Sequence, residues 1–323
     1  MSKKKSKKIL FITFDLSGYY DCILDELKEQ YSDVDFYNLA NYRNVPYNNL
    51  AQRVKSFYYK KFKGLKLKNF YKYNPIIEEV KNNTYDTTLI VRPDLFFDSQ
   101  LKILKENSSK LLAYYHDSIN NIPRKKEVIH FFDKVYSYEK IDVKDYNLNF
   151  IPNFIYIKDY NKEDVINSSF FTIMSKDYRF YNLVKLANYL KNKPYDYNFL
   201  VHSDKPQPKH DTINFIQDRK NNNQVLEYIN QSKIIVDIHK YGVQDGLTFR
   251  VFESLFFEKK LITSNSDIKN YDFYNPKNIL VIEDFDNIDI PESFISEPYQ
   301  KIPEAIYKKY HYSTWLKTVL GTF

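Results

Sequence analysis

The sequence predicts an α/β protein made of two domains, each built on a parallel sheet. Three observations carry that expectation. Short apolar, β-branched runs alternate with segments of helical apolar spacing along the chain. The alternation lapses after Ile155 and restarts at Phe170. The chain has 323 residues, enough for two domains of ordinary size.

Taken in order, residues 8–14 (KILFITF) read as a first strand, 15–18 as its turn, and 19–30 as a helix with Ile23, Leu24 and Leu27 inward. Residues 34–37 return as a strand. The turn holds Gly18 and no G-x-G-x-x-G, so a dinucleotide fingerprint is absent. Gly18 suits a tight turn as well as a ligand contact. Residues 87–91 (TTLIV) form a strand ending at Arg92-Pro93-Asp94, and 98–107 a helix capped by Asp98. Residues 110–115 (KLLAYY) form a strand ending at His116-Asp117-Ser118. Residues 134–138 are a further strand, and 149–155 an exit into a linker.

The second half repeats the pattern. Residues 170–174 are a strand, 175–179 a polar loop, and 180–191 a helix with Leu183, Leu186, Ala187 and Leu190 on one face. Strands follow at 198–201 and 213–216, with Pro206 and Pro208 marking the loop between them. A helix over 222–230 precedes the run Ile234-Ile235-Val236-Asp237-Ile238, which reads as a buried strand. Then come a polar loop, a helix over 248–258 and a strand at 261–263. A last strand spans 278–282. Pro291, Pro298 and Pro303 punctuate a connection, and 304–320 reads as a terminal helix.

Bulk properties bound the function. Hydrophobic residues make up 43%, so substantial cores can be buried and disorder is excluded. The formal charge is +7, which favours acidic partners without choosing among them. Cys22 is the only cysteine, so no intrachain disulfide forms, and a reducing compartment fits. The basic residues 1–8 precede an apolar run of only 9–14, too short for a signal segment, and no apolar span crosses a bilayer. The expectation is a cytoplasmic protein without a transmembrane helix.

Residues 53–72 (RVKSFYYKKFKGLKLKNFYK) carry eight cations and no acid, with Val54, Phe57, Tyr58, Phe62 and Leu65 at helical spacing. Such a stripe either faces a core or docks on an anionic membrane, so peripheral contact at the inner membrane face stays open.

The loop and helix after the strand at 234–238 concentrate the chemistry. The chain has five glycines, and Gly242 and Gly246 both fall here, with His239, Lys240, Gln244, Asp245, Thr248 and Arg250 around them. A loop feeding a helix N-terminus at the carboxyl end of a buried strand is where α/β sheets hold phosphorylated ligands. Lys176 and Arg179, near the start of the helix over 180–191, are cations suited to a diphosphate. An ordinary charged helix start explains them equally. Asp245 and Glu253 stand in an acid-x7-acid spacing. Arg250 and Glu253 are also placed for an i,i+3 ion pair.

With Arg250, this spacing resembles the C-terminal-domain motif of glycosyltransferases of the two-domain GT-B fold. The resemblance implies two Rossmann-like domains facing across a cleft, with the C-terminal helix crossing back to the first domain. It divides the chain into an acceptor domain (1–153), a donor domain (154–302) and the terminal helix (303–323). It implies a hexosyl transfer from a UDP- or GDP-linked sugar to a glycan or lipid-linked acceptor, as in bacterial surface-polysaccharide assembly. In that family the Glu, here Glu253, usually holds the nucleotide ribose. The loop and helix start, here His239, Asp245, Gly246, Thr248 and Arg250, hold the diphosphate and sugar. This chain has Asp245 where Glu is commoner, and one Gly where two are often seen. His116 and Asp117, at a strand end, are then candidates for taking the acceptor's proton, against a plain turn cap at Asp117.

Other chemistries find no support. No Cys/His cluster has zinc spacing, and no Walker A, H-E-x-x-H or G-x-S-x-G occurs. Asp284-Phe285-Asp286 spells the D-x-D of metal-dependent glycosyltransferases, but it opens a polar stretch and reads as a turn. No metal or cofactor is expected, and no nucleic-acid partner. A sugar-nucleotide epimerase of the same fold and a non-catalytic basic nucleic-acid-binding module remain as alternatives.

Overall fold

The computed structural model describes residues 4–43, 45–47, 49–63, 65–161 and 165–322. The chain divides into two compact units. One comprises Met1–Pro152 with Trp315–Phe323, the other Asn153–Thr314.

The first unit runs β1 (Lys5–Thr13), α1 (Asp21–Gln30), β2 (Tyr31–Asn38), α2 (Leu50–Lys63), α3 (Leu67–Val80), β3 (Thr87–Val91), α4 (Asp98–Glu106), β4 (Leu111–Tyr115), α5 (Arg124–Val128), β5 (Lys134–Ser137), α6 (Lys140–Tyr146) and β6 (Asn149–Phe150). Its six strands lie in the order β2-β1-β3-β4-β5-β6, all parallel. Every residue of β3 and β4 is buried, as strands covered on both faces require. Leu10, Ile12, Ile90 and Leu111 from the sheet meet Ile76, Ile77 and Val80 from α3 and Leu101 and Leu104 from α4 in one core.

The second unit runs β7 (Ser168–Ser175), α7 (Phe180–Lys191), β8 (Tyr197–His202), β9 (Asn214–Ile216), α8 (Asn222–Asn230), β10 (Ser232–Asp237), α9 (Phe249–Phe257), β11 (Lys260–Thr263), β12 (Ile279–Val281), α10 (Glu292–Ser296) and α11 (Glu304–Lys309). The last helix, α12 (Tyr312–Leu320), belongs to the first unit from Trp315 onward. The sheet order is β12-β11-β10-β7-β8-β9, again all parallel. Counted from β7 as the first strand, this is the doubly wound 3-2-1-4-5-6 order, with its reversal between β7 and β10. In the first unit the reversal falls between β1 and β3.

Three elements differ from the sequence expectation. Asp98 is the first residue of α4 and not its cap, which is Phe97, and its carboxylate pairs with Arg124. The basic stretch is two helices, and α3 continues to Val80 past Pro75 because Tyr73, Ile76, Ile77 and Val80 bury one face. The terminal helix is interrupted at Tyr310 and His311. Ile155 N donates to Tyr310 O at 2.8 Å and Tyr312 N to Ile155 O at 3.2 Å, a bridge that takes those backbone groups out of the helical ladder.

Trp315 packs edge-on against Tyr114 at 4.9 Å, and Lys110 Nζ donates to Leu320 O at 3.0 Å. Both contacts lie within the first unit.

Candidate functional site

Each unit carries a cluster of polar side chains at the carboxyl edge of its sheet. In the second unit the loops after β7 and β10 flank the strand reversal, where open α/β sheets bind ligands. The first loop brings Lys176 and Arg179. The second brings His239 through Thr248 and opens into α9.

Thr248 caps α9. Its Oγ1 accepts from Arg250 N at 3.2 Å and donates to Asp237 Oδ2 at 3.0 Å. The cap therefore ties the helix start to the end of β10. Asn265 and Ser264, after β11, pin the loop from its other side. Asn265 Nδ2 donates to Asp245 O at 3.0 Å, and His239 N donates to Ser264 Oγ at 2.8 Å. Gly246 is buried inside this frame, while Gly242 (φ 76°) takes the left-handed turn at the exposed tip.

Glu253 is 1% exposed. Tyr156 Oη donates to its Oε1 at 2.7 Å, and Arg250 Nη1 bonds its Oε2. Burial raises the Glu253 carboxyl above its ordinary range, and Arg250 and Tyr156 pull it back. Both oxygens are thus engaged within the chain, in the i,i+3 ion pair that the spacing allowed.

Lys176 and Arg179 are likewise engaged. Arg179 forks onto Asp177, with Nη2 2.7 Å from Oδ2, and Nη1 donates to Ile238 O at 3.0 Å. Lys176 Nζ bonds Gln207 and lies 5.3 Å from the ring centroids of Phe180 and Phe215. Burial holds the His239 imidazole below its usual range against the pull of Asp237. The structure therefore brings Arg179, His239, Asp245, Gly246, Thr248, Arg250 and Glu253 onto one sheet edge, with Lys176 beside Arg179.

In the first unit, His116 and Asp117 follow β4. His116 Nδ1 shares a hydrogen bond of 2.7 Å with Tyr20 Oη, and the Tyr19 ring stacks on the imidazole at 6.3 Å. Burial is the main cause holding His116 below its ordinary pKa, with Asp117 opposing it. Arg92 Nη1 lies 3.8 Å from Asp117 Oδ2. Its Nε and Nη2 fork onto Asp94 at 2.9 Å each, and its backbone sits in the left-handed region (φ 72°), which a non-glycine side chain adopts only under constraint.

The turn after β1 is not a phosphate cradle. Asp15 accepts from Ser17 N at 2.8 Å, Gly18 N at 2.9 Å and Tyr20 N at 2.8 Å, so the loop's own carboxylate takes the amides. Gly18 turns left-handed there (φ 77°).

Several residues escaped the sequence reading. Tyr156 lies in a stretch with no periodicity. Asp237 and Asn265 are strand-end polar residues, a signal that could have found them. Lys125 sits in the run Arg124-Lys125-Lys126, and it is fully buried. Its Nζ donates to Asp117 O at 2.5 Å, and burial presses its pKa down to about 8. Among the described residues, no group of three His, Cys, Asp or Glu is placed to hold a metal. In the D-x-D stretch, Asp284 Oδ1 accepts from Asp286 N at 2.8 Å and Asp286 pairs with Lys185 at 2.6 Å, a closed turn.

No family model matches the sequence, and no curated protein matches it. Solved structures do. The chain is similar to UDP-GlcNAc 2-epimerase from Neisseria meningitidis bound to UDP-GlcNAc, at 10% identity over 98% of this chain and 99% of that one, with a TM-score of 0.50. It is also similar to an alpha1,3-fucosyltransferase (11% identity, 100% and 91% covered, TM-score 0.47). A third is the glycosyltransferase SnogD from Streptomyces nogalater (7% identity, 98% and 96% covered, TM-score 0.45). At such identities the likeness is one of fold: two parallel-sheet α/β units of GT-B-like type.

Proposed function

We propose that this chain is a glycosyltransferase that moves a hexosyl group from a UDP- or GDP-linked sugar to a glycan or lipid-linked acceptor, without a metal. The observation that carries the reading is the convergence, at the strand reversal of the second unit, of a glycine-bearing loop, the capped start of α9 and the Arg250/Glu253 pair. A helix N-terminus and nearby cations favour the negative charge that grows on a leaving diphosphate. Glu253 Oε2 offers an acceptor to a ribose hydroxyl once Arg250 turns from Glu253 to phosphate, while Tyr156 holds the other oxygen. Asp245 and His239 face the sugar, and Lys176 and Arg179 supply charge from the neighbouring loop.

In the transfer, an acceptor hydroxyl bonds to the sugar's anomeric carbon as the bond to the diphosphate oxygen breaks. The electron pair leaves with the nucleoside diphosphate. The hydroxyl proton goes to His116 or Asp117. For His116 to serve with Nε2 as the proton's destination, Nδ1–H must donate to Tyr20 Oη. Tyr20 is then a positioning residue.

The acceptor's setting is read from α2. Leu50, Val54, Phe57, Tyr58 and Phe62 form its outward face, each at least 52% exposed. Arg53, Lys55, Lys60 and Lys61 flank it, and no acid occurs between Asp35 and Glu78. An apolar stripe among unopposed cations matches an anionic bilayer surface, the reaction's setting in bacterial polysaccharide assembly. No helix among the described residues is long and apolar enough to cross a membrane.

The experiment is a turnover assay with candidate UDP- and GDP-sugars, with and without glycan and lipid-linked acceptors. Nucleoside diphosphate release that requires an acceptor supports the reading. The shared fold with a UDP-GlcNAc 2-epimerase favours one rival, an epimerase, which would convert the nucleotide sugar with no acceptor present.

A further inference from the structure

The first unit holds a cavity of about 650 Å³ that no step above uses. It opens at this unit's own strand reversal. Phe14, just past β1, and Arg92, Asp94 and Leu95, just past β3, form its floor, and residues of α2 and α3 with Leu65 and Lys66 form its wall. That wall contributes Lys60, Lys66, Lys68 and Lys72.

The charges do not cancel. Arg92 is neutralised by Asp94 and approached by Asp117, and Arg124 pairs with Asp98 and Glu127. Among the described residues, Asp94 is the lining's one carboxylate, and Arg92 occupies both its oxygens. Among the described residues, none of the four lysines makes an ion pair with a carboxylate. Lys68 and Lys72 instead lie over the rings of Tyr47 and Tyr73, at 5.1 Å and 5.2 Å. Four like charges around one concavity repel each other, and burial by itself lowers the Lys72 pKa. An unopposed cationic cluster in a cavity of ligand size, beside a left-handed Arg92, is a binding arrangement rather than a stabilising one.

We propose that this cavity binds a phosphate or diphosphate group of the acceptor substrate, held by Lys60, Lys66, Lys68 and Lys72 with Arg92 at its floor. The inference rests on the transferase reading for the word acceptor; the anion site itself does not depend on it. The phosphate has two possible carriers, a lipid whose tail meets the exposed face of α2 or a soluble phosphorylated glycan.

The test compares the full native chain with Lys68→Gln/Lys72→Gln. Inorganic pyrophosphate is titrated calorimetrically, and flotation is run with phosphatidylcholine vesicles carrying phosphatidate. The variant should weaken a class of pyrophosphate sites by about tenfold or more. It should melt at or above the native temperature, since repulsion is relieved, and keep its response to nucleoside diphosphates. Displacement of phosphatidate vesicles by pyrophosphate assigns the lipid carrier; pyrophosphate binding without vesicle competition assigns the soluble one. Unchanged pyrophosphate affinity in the variant overturns the site. Loss of nucleotide response in the native chain would instead strike the transferase reading and leave the anion site standing.

Discussion

Tyr156 Oη donates to Glu253 Oε1 at 2.7 Å, joining the start of the second unit to the middle of α9 across 97 positions of sequence. Tyr156 is 5% exposed and Glu253 1%, so this hydrogen bond and the Arg250 contact satisfy a carboxylate that water scarcely reaches. Removing the hydroxyl should be costly. Tyr156→Phe is expected to lose roughly 1.5–3 kcal/mol, the usual worth of a hydrogen bond to a charged group, read by denaturant unfolding. The pH dependence has a definite sign. Glu253 is raised above its ordinary 4.5, so the native state loses stability as pH climbs from there through the raised value. Tyr156→Phe removes a pull in the opposite direction and should shift that loss to higher pH. An unchanged unfolding curve would mean the hydroxyl is spent elsewhere.

His116 makes a second prediction. Its pKa lies below 6.5 because burial outweighs Asp117. If it takes the acceptor proton, kcat/KM should be level at neutral pH and fall only below the ordinary histidine range. The native chain should also lose stability as pH drops from 6.5 through the lowered pKa, since the unfolded chain then binds more protons. His116→Gln should depress turnover by about 10²–10⁴-fold and abolish the acid limb. A full rate in that variant would pass the role to Asp117.

Lys125 titrates in another window. Its pKa moves from 10.5 to about 8, a shift worth roughly 3 kcal/mol. Between those values the unfolded chain binds more protons, so the native chain should gain stability relative to Lys125→Met as pH rises from 8 to 10.5. Chemical denaturation of both chains across that range reads the difference. Parallel curves would show that the ammonium is solvated.

The exposed face of α2 is tested by Phe57→Ser/Phe62→Ser. Both rings are more than 60% exposed, so folding stability should shift by no more than about 0.5 kcal/mol per site. Flotation with phosphatidylglycerol-containing vesicles should weaken by about tenfold or more, because each ring is worth roughly 1.5–3 kcal/mol when fully buried. Unimpaired flotation would assign the stripe to another partner.

The sheets were legible in the sequence because parallel strands buried on both faces are written as nearly unbroken apolar runs, as in TTLIV and KLLAYY. The break of the terminal helix was not, since it depends on a bridge to Ile155, 155 residues or more upstream in a segment of no regular period. The candidate site was half legible. The loop, the Thr248 cap and α9 follow from local rules. The partners that fix them, Tyr156, Asn265 and Asp237, meet them only through the fold. Side-chain engagement was hidden altogether: the segment 53–72 shows helical apolar spacing whether its face is buried or, as for α2, turned outward.

The central claim is that the loop after β10 and the start of α9 hold a nucleoside diphosphate. Calorimetric titration of the native chain and of Thr248→Ala/Lys176→Ala with UDP and GDP tests it most directly. The account predicts saturable binding of one of the two by the native chain, weakened about tenfold or more in the variant. Absence of binding by either nucleotide, or equal affinity in both chains, would contradict it.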